Sequence, residues 1–148
     1  MTMDCAFCAI VAGVLPASVA AETERSLAFL DLRQPHAEHQ GMHVLVVPKR
    51  HVEFLDGLSV DDGADLLALA SRITGVLRKN HPDASVSLWQ SNGVAAFQEV
   101  PHVHLHVLSR RVDDRLLAIY PTLPPDAGRD RLDRDAARLR TQLSAAMP

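Results

Sequence analysis

Pro101-His102-Val103-His104-Leu105-His106-Val107-Leu108 alternates imidazole and aliphatic side chains without a break. Successive residues of a strand point to opposite faces, so this order puts the three histidines on one side and Val103, Leu105 and Val107 on the other. A helix would spread the same histidines around its cylinder. The stretch therefore predicts a strand over His102–Leu108 with one face in an apolar core and a row of imidazoles on the other. Three chemistries fit such a row. Imidazoles two residues apart can chelate a metal such as zinc. One imidazole can act as a nucleophile while a neighbour fixes its tautomer. The third reading is a set of hydrogen-bonded or exposed histidines with no reaction of their own.

Working outward, Val86–Gln90 reads as a second strand, followed by the turn signal Ser91-Asn92-Gly93. His43–Val47 is a β-branched apolar run ended by Pro48, the pattern of a buried strand, and Ser26–Leu30 is a further strand closed by Asp31. Between these two, residues 33–42 are polar and contain Pro35 and Gly41, which predicts a loop. The clearest helix runs over Ser59–Lys79. Ser59 is a natural N-cap, Asp62 stands at the capping-box position, and Asp61 and Asp62 suit the positive end of the helix dipole. Leu66, Leu69, Ala70, Ile73, Val76 and Leu77 recur at helical spacing. Ala6–Gly13 predicts a short helix stopping at Gly13. Beyond the histidine row, Pro121, Pro124, Pro125 and Gly128 mark a loop, and Arg131–Leu143 predicts an amphipathic helix packed on the domain or on a second subunit. The expected architecture is α+β: an antiparallel sheet with one long helix on a face, formed by residues 1–110, and a C-terminal helical extension over residues 111–148.

The chain has 148 residues, 47% of them hydrophobic and 22% charged, which suffices for one packed core. A formal net charge of −3 argues against a duplex nucleic-acid partner, which would call for a basic face. No apolar run reaches the roughly 18–20 residues of a membrane span. Met1-Thr2-Met3-Asp4 lacks the basic start and apolar stretch of a signal peptide, so a cytoplasmic location is expected. The two cysteines, Cys5 and Cys8, have the spacing of a metal or redox pair rather than of a disulfide scaffold.

The histidine row with its flanks resembles the signature of the histidine triad (HIT) nucleotide hydrolases and transferases. Asn92-Gly93-Val94-Ala95-Ala96-Phe97-Gln98-Glu99-Val100 resembles that family's phosphate-binding loop. Cys5–Gly13 with Pro16-Ala17, Leu27–Asp31 and His43–His51 resemble its N-terminal segment, ribose-binding strand and central strand. The likeness covers about residues 5–110. It implies hydrolysis at the α-phosphorus of nucleoside phosphoramidates or dinucleoside polyphosphates, with a purine preference, through a nucleotidyl-histidine on His104. The alternative is a nucleotide-binding regulatory protein with little turnover. By the same likeness His106 and Gln98 would contact phosphate oxygens and Asn92 would hold that region. Asp31 would bind the ribose hydroxyls, and Phe7, Ile10, Phe29 and Leu32 would form the slot for the base.

The sequence also departs from the family pattern. Phe97 stands where a glycine is common, and Glu99 replaces a small hydroxyl residue. A carboxylate there repels phosphate unless protonated or turned away, so Glu99 is a candidate leaving-group contact. The stretch Pro35–Met42 is longer than the usual connection and adds His36 and His39 as solvated loop residues. Some members of the family hold a structural zinc with two cysteines and two histidines, which here implies Cys5, Cys8, His51 and His102 as ligands of Zn2+. The resemblance further implies a homodimer. A rival reading makes His102, His104 and His106 a catalytic metal site.

Overall fold

The computed structural model describes residues 5–35, 42–80, 85–112, 114, 116, 125 and 127–146. The helix α1 (Ala6–Val11) is followed by the strands β1 (Val19–Glu22), β2 (Ser26–Leu30) and β3 (His43–Pro48), the helix α2 (Val60–Leu77), the strands β4 (Ser85–Trp89) and β5 (Leu105–Arg110), and the helix α3 (Arg129–Ala146). The five strands form one antiparallel sheet in the order β1-β2-β3-β5-β4. The expected α+β sheet-and-helix architecture is what the chain adopts. His36, His39 and Gly41 lie outside the described residues, as do Pro121 and Pro124. No helix among the described residues is long and apolar enough to cross a membrane.

Two apolar layers flank the sheet. Ala28 of β2, Val44 and Val46 of β3, and Val103 and Val107 face Leu66, Leu69, Ala70 and Leu77 of α2. The alternate residues, Leu27 and Phe29 of β2 and Leu45 and Val47 of β3, meet Cys5, Phe7 and Cys8 from the N-terminal segment on the opposite face. The period-2 alternation of β2 and β3 thus divides their residues between two cores. Burial of a Leu or Phe side chain contributes on the order of 1.5–3 kcal/mol, so both faces are held firmly. The helix α2 starts where Ser59 accepts a hydrogen bond from the Asp62 backbone N–H at 3.1 Å. The Asp62 carboxylate is directed to Arg50 (2.9 Å) and Arg25 (3.2 Å). Hydrogen bonds from Ser59 and Arg50, opposed by burial and aided by Arg25, lower its pKa below the ordinary value.

Several sequence expectations shift. Val76 is 59% exposed rather than part of the α2 core face, because at 100° per residue it falls about 80° from the centre of the buried stripe. The strand β1 has no counterpart in the sequence reading; three of its four residues are exposed, so it has no inward-facing period. The last strand begins at Leu105, not His102. Its neighbour β3 ends at Pro48, which has no N–H for the ladder, and the Val103 N–H turns to the Val52 carbonyl at 2.7 Å. By contact the chain divides into two units, Met1–Asp114 and Arg115–Pro148. In the second, α3 is solvent-exposed along its described side chains, including Leu132, Leu139 and Leu143.

Candidate active site and metal centre

The histidine row lies on the face of the sheet that α1 covers. His102 is fully buried and His104 nearly so. His104 Nδ1 lies 2.7 Å from the carbonyl oxygen of His102. A carbonyl can only accept, so Nδ1 carries the proton and Nε2 is left with its lone pair. The Phe7 ring meets His104 edge-on at 5.2 Å, and His106 lies 4.7 Å from it, also edge-on. An imidazole in a fixed tautomer, with its free nitrogen next to another imidazole, can act as a nucleophile with a neighbouring donor for the charge that develops.

His106 belongs to a second group that the histidine row alone did not reveal. His43 Nε2 is 3.0 Å from His106 Nδ1, and His43 Nδ1 is 3.8 Å from the Asp31 carboxylate. The Trp89 ring is stacked on His106 at 4.3 Å with the planes 2° apart. Burial pushes the His106 imidazole down to about 3, with a further lowering from charge on His104 and His43. Burial also lowers His43, against the opposing pull of Asp31. Both rings are therefore neutral near pH 7. His43 could have been singled out as a polar residue opening an apolar strand; Trp89 gave no signal, because its place depends on strand register.

The remaining predicted residues fall into three sets. Phe7, Phe29 and Ile10 come together beside the histidines, with Phe7 and Phe29 in edge contact at 5.5 Å. Leu32 is fully exposed and does not join them. Asp31 accepts the Arg33 backbone N–H at 2.7 Å, which leaves its second oxygen toward His43. Gln98 and Asn92 bind backbone. The Gln98 amide accepts from the Gly93 N–H at 2.6 Å and donates to the Glu53 carbonyl at 2.7 Å, and Asn92 accepts from the Leu55 N–H at 3.0 Å. Both therefore shape the loop from Gly93 to Gln98. Gly93 has φ +85° and Phe97 φ +64°, so the loop needs left-handed backbone at both positions. Glu99 is exposed and pairs with Arg33 at 3.3 Å.

Cys5, Cys8, His51 and His102 form the other cluster, with all four ligand atoms within 4.8 Å of one another. His102 Nδ1 lies 3.4 Å from Cys5 Sγ and 3.6 Å from Cys8 Sγ, and His51 Nδ1 lies 3.2 Å from Cys8 Sγ. A tetrahedral ion with metal–nitrogen and metal–sulfur bonds of about 2.0 and 2.3 Å separates nitrogen from sulfur by about 3.5 Å. The donors thus fit such an ion. His102 Nε2 donates to the Pro48 carbonyl at 2.8 Å, which strips the proton from Nδ1 and orients it as a ligand. This placement separates the three histidines of the row. His102 faces the thiols, so His102, His104 and His106 do not converge on one catalytic ion. The second group of donors close enough for a metal among the described residues is Asp31, His43 and His106.

Residues 12–113 match the HIT domain. Over 123 residues the chain is 36% identical to an adenosine 5′-monophosphoramidase of Schizosaccharomyces pombe, a match that spans 82% of this chain and 86% of the relative. A histidine triad nucleotide-binding protein from Candida albicans superposes with a TM-score of 0.83 at 28% identity, covering 97% of this chain and 100% of that one. A zinc-bound histidine triad family protein from Mycobacterium smegmatis superposes with a TM-score of 0.68 at 34% identity, covering 99% of this chain and 100% of the other.

Proposed function

The chain belongs to the histidine triad (HIT) family, and from that premise we propose that it is a nucleotide hydrolase acting at the α-phosphorus of nucleoside phosphoramidates or dinucleoside polyphosphates, with His104 as nucleophile. The observation that carries this reading is the 2.7 Å bond from His104 Nδ1 to the His102 carbonyl, which leaves the lone pair of the neutral ring on Nε2, with the His106 ring centred 4.7 Å away. In the first step the Nε2 lone pair attacks phosphorus. The bond from phosphorus to the leaving nitrogen or oxygen breaks, and the leaving group departs with that electron pair and takes up a proton. In the second step water attacks the phosphorus, the P–Nε2 bond breaks, and nucleotide and free imidazole are released with a proton lost to solvent. Two displacements of moderate difficulty replace one hard one.

His106 would meet a phosphate oxygen. The His43–His106 hydrogen bond would fix the tautomer of both neutral rings and hold the His106 imidazole beside the phosphate. Asp31 would accept from the ribose hydroxyls, and Phe7, Ile10 and Phe29 would bound a slot for a purine base. Gln98 and Asn92 would act through the loop they shape. Cys5, Cys8, His51 and His102 would hold Zn2+. Two thiolates and two imidazoles fill a tetrahedral shell, so the ion's contribution there is structural: it ties the N-terminal segment to the segment that carries His104. The fit of the donor spacings and the zinc-bound relative support this. A homodimer completes the proposal. β4 is an edge strand of the sheet, and Leu88 on it and Leu67 and Val76 on α2 are exposed apolar side chains that a second copy would cover.

The test is turnover of adenosine 5′-phosphoramidate and diadenosine polyphosphate by the purified chain, with and without chelator, beside His104→Ala. Turnover that needs no added metal and vanishes in the variant is expected. Activity retained in His104→Ala defeats the mechanism. Tight AMP binding without turnover of a broad substrate panel identifies a nucleotide-binding regulatory protein instead.

A further inference from the structure

We propose that Trp89 is a positioning residue of the histidine site: its indole roofs the hydrogen-bonded His43–His106 pair and holds His106 in the orientation from which it meets a substrate phosphate. This rests on the reading of His106 as a phosphate contact.

Trp89 is the only tryptophan of the chain and sits at the end of the edge strand β4. It belongs to neither apolar core and is only half-buried, so filling a core does not account for it. Its register partner across the β4–β5 ladder is His106. Side chains of directly opposed residues stand about 4.5–5.5 Å apart on one face, which brings the two rings together. They stack with centroids 4.3 Å apart and planes 2° apart.

His43 lies one strand further on, in β3, whose partner for His106 is Leu45. It is thus a diagonal neighbour of His106. The His43 and His106 rings are 25° from coplanar with centroids 5.2 Å apart and a nitrogen–nitrogen contact of 3.0 Å. That is an edge-to-edge hydrogen bond between two nearly coplanar imidazoles. The indole extends beyond His106 to within 5.5 Å of the His43 ring, again 25° from parallel. One aromatic plate therefore covers one face of both imidazoles across the width of β5.

The consequence is orientational. The terminal torsion of a histidine has broad wells, so an uncovered ring swings and samples both tautomers. A flat aromatic roof keeps the two rings in one plane, keeps water from one side of their hydrogen bond, and so sustains a single tautomer pair and a single orientation of His106. A displacement of about 1 Å in such a group can cost up to about a hundredfold in rate.

The experiment compares Trp89→Leu and Trp89→Phe in the full chain. It measures kcat and KM with adenosine 5′-phosphoramidate, and the imidazole 15N resonances of His43 and His106 in the protein alone. Trp89→Leu is expected to lower kcat about tenfold with KM changed less than about twofold. It should also convert single-tautomer spectra into mixed ones, and Trp89→Phe should restore most of both. Trp89→Met serves the same comparison if the leucine variant does not fold. Wild-type kcat in the leucine variant, or a phenylalanine variant as impaired as the leucine one with unchanged tautomers, overturns the proposal. A wild-type chain that turns over no nucleotide defeats the hydrolase reading and not this one, which the tautomer comparison then decides alone.

Discussion

Phe97 stands at a backbone position made for glycine, and replacing it should stabilise the protein. Its φ of +64° and ψ of +31° lie in the left-handed region, where a Cβ crowds the following carbonyl at a cost of roughly 1–2 kcal/mol. The ring is 88% exposed, so its removal forfeits almost no apolar burial. Glycine in turn adds backbone freedom to the unfolded chain, which costs about 0.4–1 kcal/mol. The difference leaves Phe97→Gly more stable than wild type by about 0.5–1 kcal/mol. For a chain of this size that is a rise in melting temperature of about 2–4 °C. Phe97→Ala is the decisive control. It removes the ring but keeps the Cβ, so it should stay within about 0.5 kcal/mol of wild type. Denaturant unfolding of the three proteins, with a common m-value, isolates the backbone effect. The Gln98 side chain is anchored to Gly93 and Glu53 independently of Phe97, so the loop should keep its shape and the turnover its rate. If the glycine variant is no more stable than the alanine one, residue 97 is not held in the left-handed region and the account of the loop is wrong.

Other perturbations have signs that the structure sets. Stripping metal with a chelator should lower the melting temperature, because an ion present at a hundred times its Kd contributes about 2.7 kcal/mol, or about 5–10 °C here. Cys8→Ser should remove both the bound metal and the chelator effect, whereas a protein purified without metal and indifferent to chelator contradicts the zinc site. His106 is held down at about 3 in the folded chain and titrates near 6.5 when unfolded, so between these values the unfolded state binds more protons. Its contribution is present above about pH 6.5 and is lost as pH falls toward 3, at up to about 1 kcal/mol per pH unit after solvent screening. His43, also lowered, acts in the same direction. His106→Gln should flatten the stability profile between about pH 6 and 4.5, and a slope as steep as in wild type would count against this assignment. The Arg33–Glu99 pair is exposed on both sides, so Glu99→Gln should change stability by less than about 1 kcal/mol. It should raise kcat/KM for diadenosine polyphosphate, whose leaving group is anionic, more than for the phosphoramidate. Equal change for both substrates argues against Glu99 standing near the leaving group.

Much of the frame was legible in the chain itself. The Ser59 cap and the spacing of Leu66, Leu69, Ala70, Ile73 and Leu77 depend only on neighbours within a few turns, and the helix lies where they place it. The split of Val103 and Val107 from the histidines follows from the two-residue period of extended backbone. The four residues of the metal cluster were legible through family resemblance, since a Cys-x-x-Cys pair by itself leaves metal and redox chemistry open. The site's details were less accessible. Leu32 is apolar but fully exposed, and Gln98 and Asn92 spend hydrogen bonds on backbone that no spacing rule reveals. Periodicity also could not set where the last strand begins, because that depends on Pro48 in another strand.

The histidine row marks the division most clearly. Sequence alone determined that His102, His104 and His106 share a side of the chain, because alternation is a property of one strand. Only the tertiary structure decided that they have different partners: His102 two thiols, His104 the backbone carbonyl of His102, and His106 both His43 and Trp89. The thiols, His43 and Trp89 come from the N-terminal segment, β3 and β4, and which residue of each arrives is set by strand register and by the packing of that segment. Register is fixed by the simultaneous burial of two sheet faces, an energy that exists only once the strands are assembled.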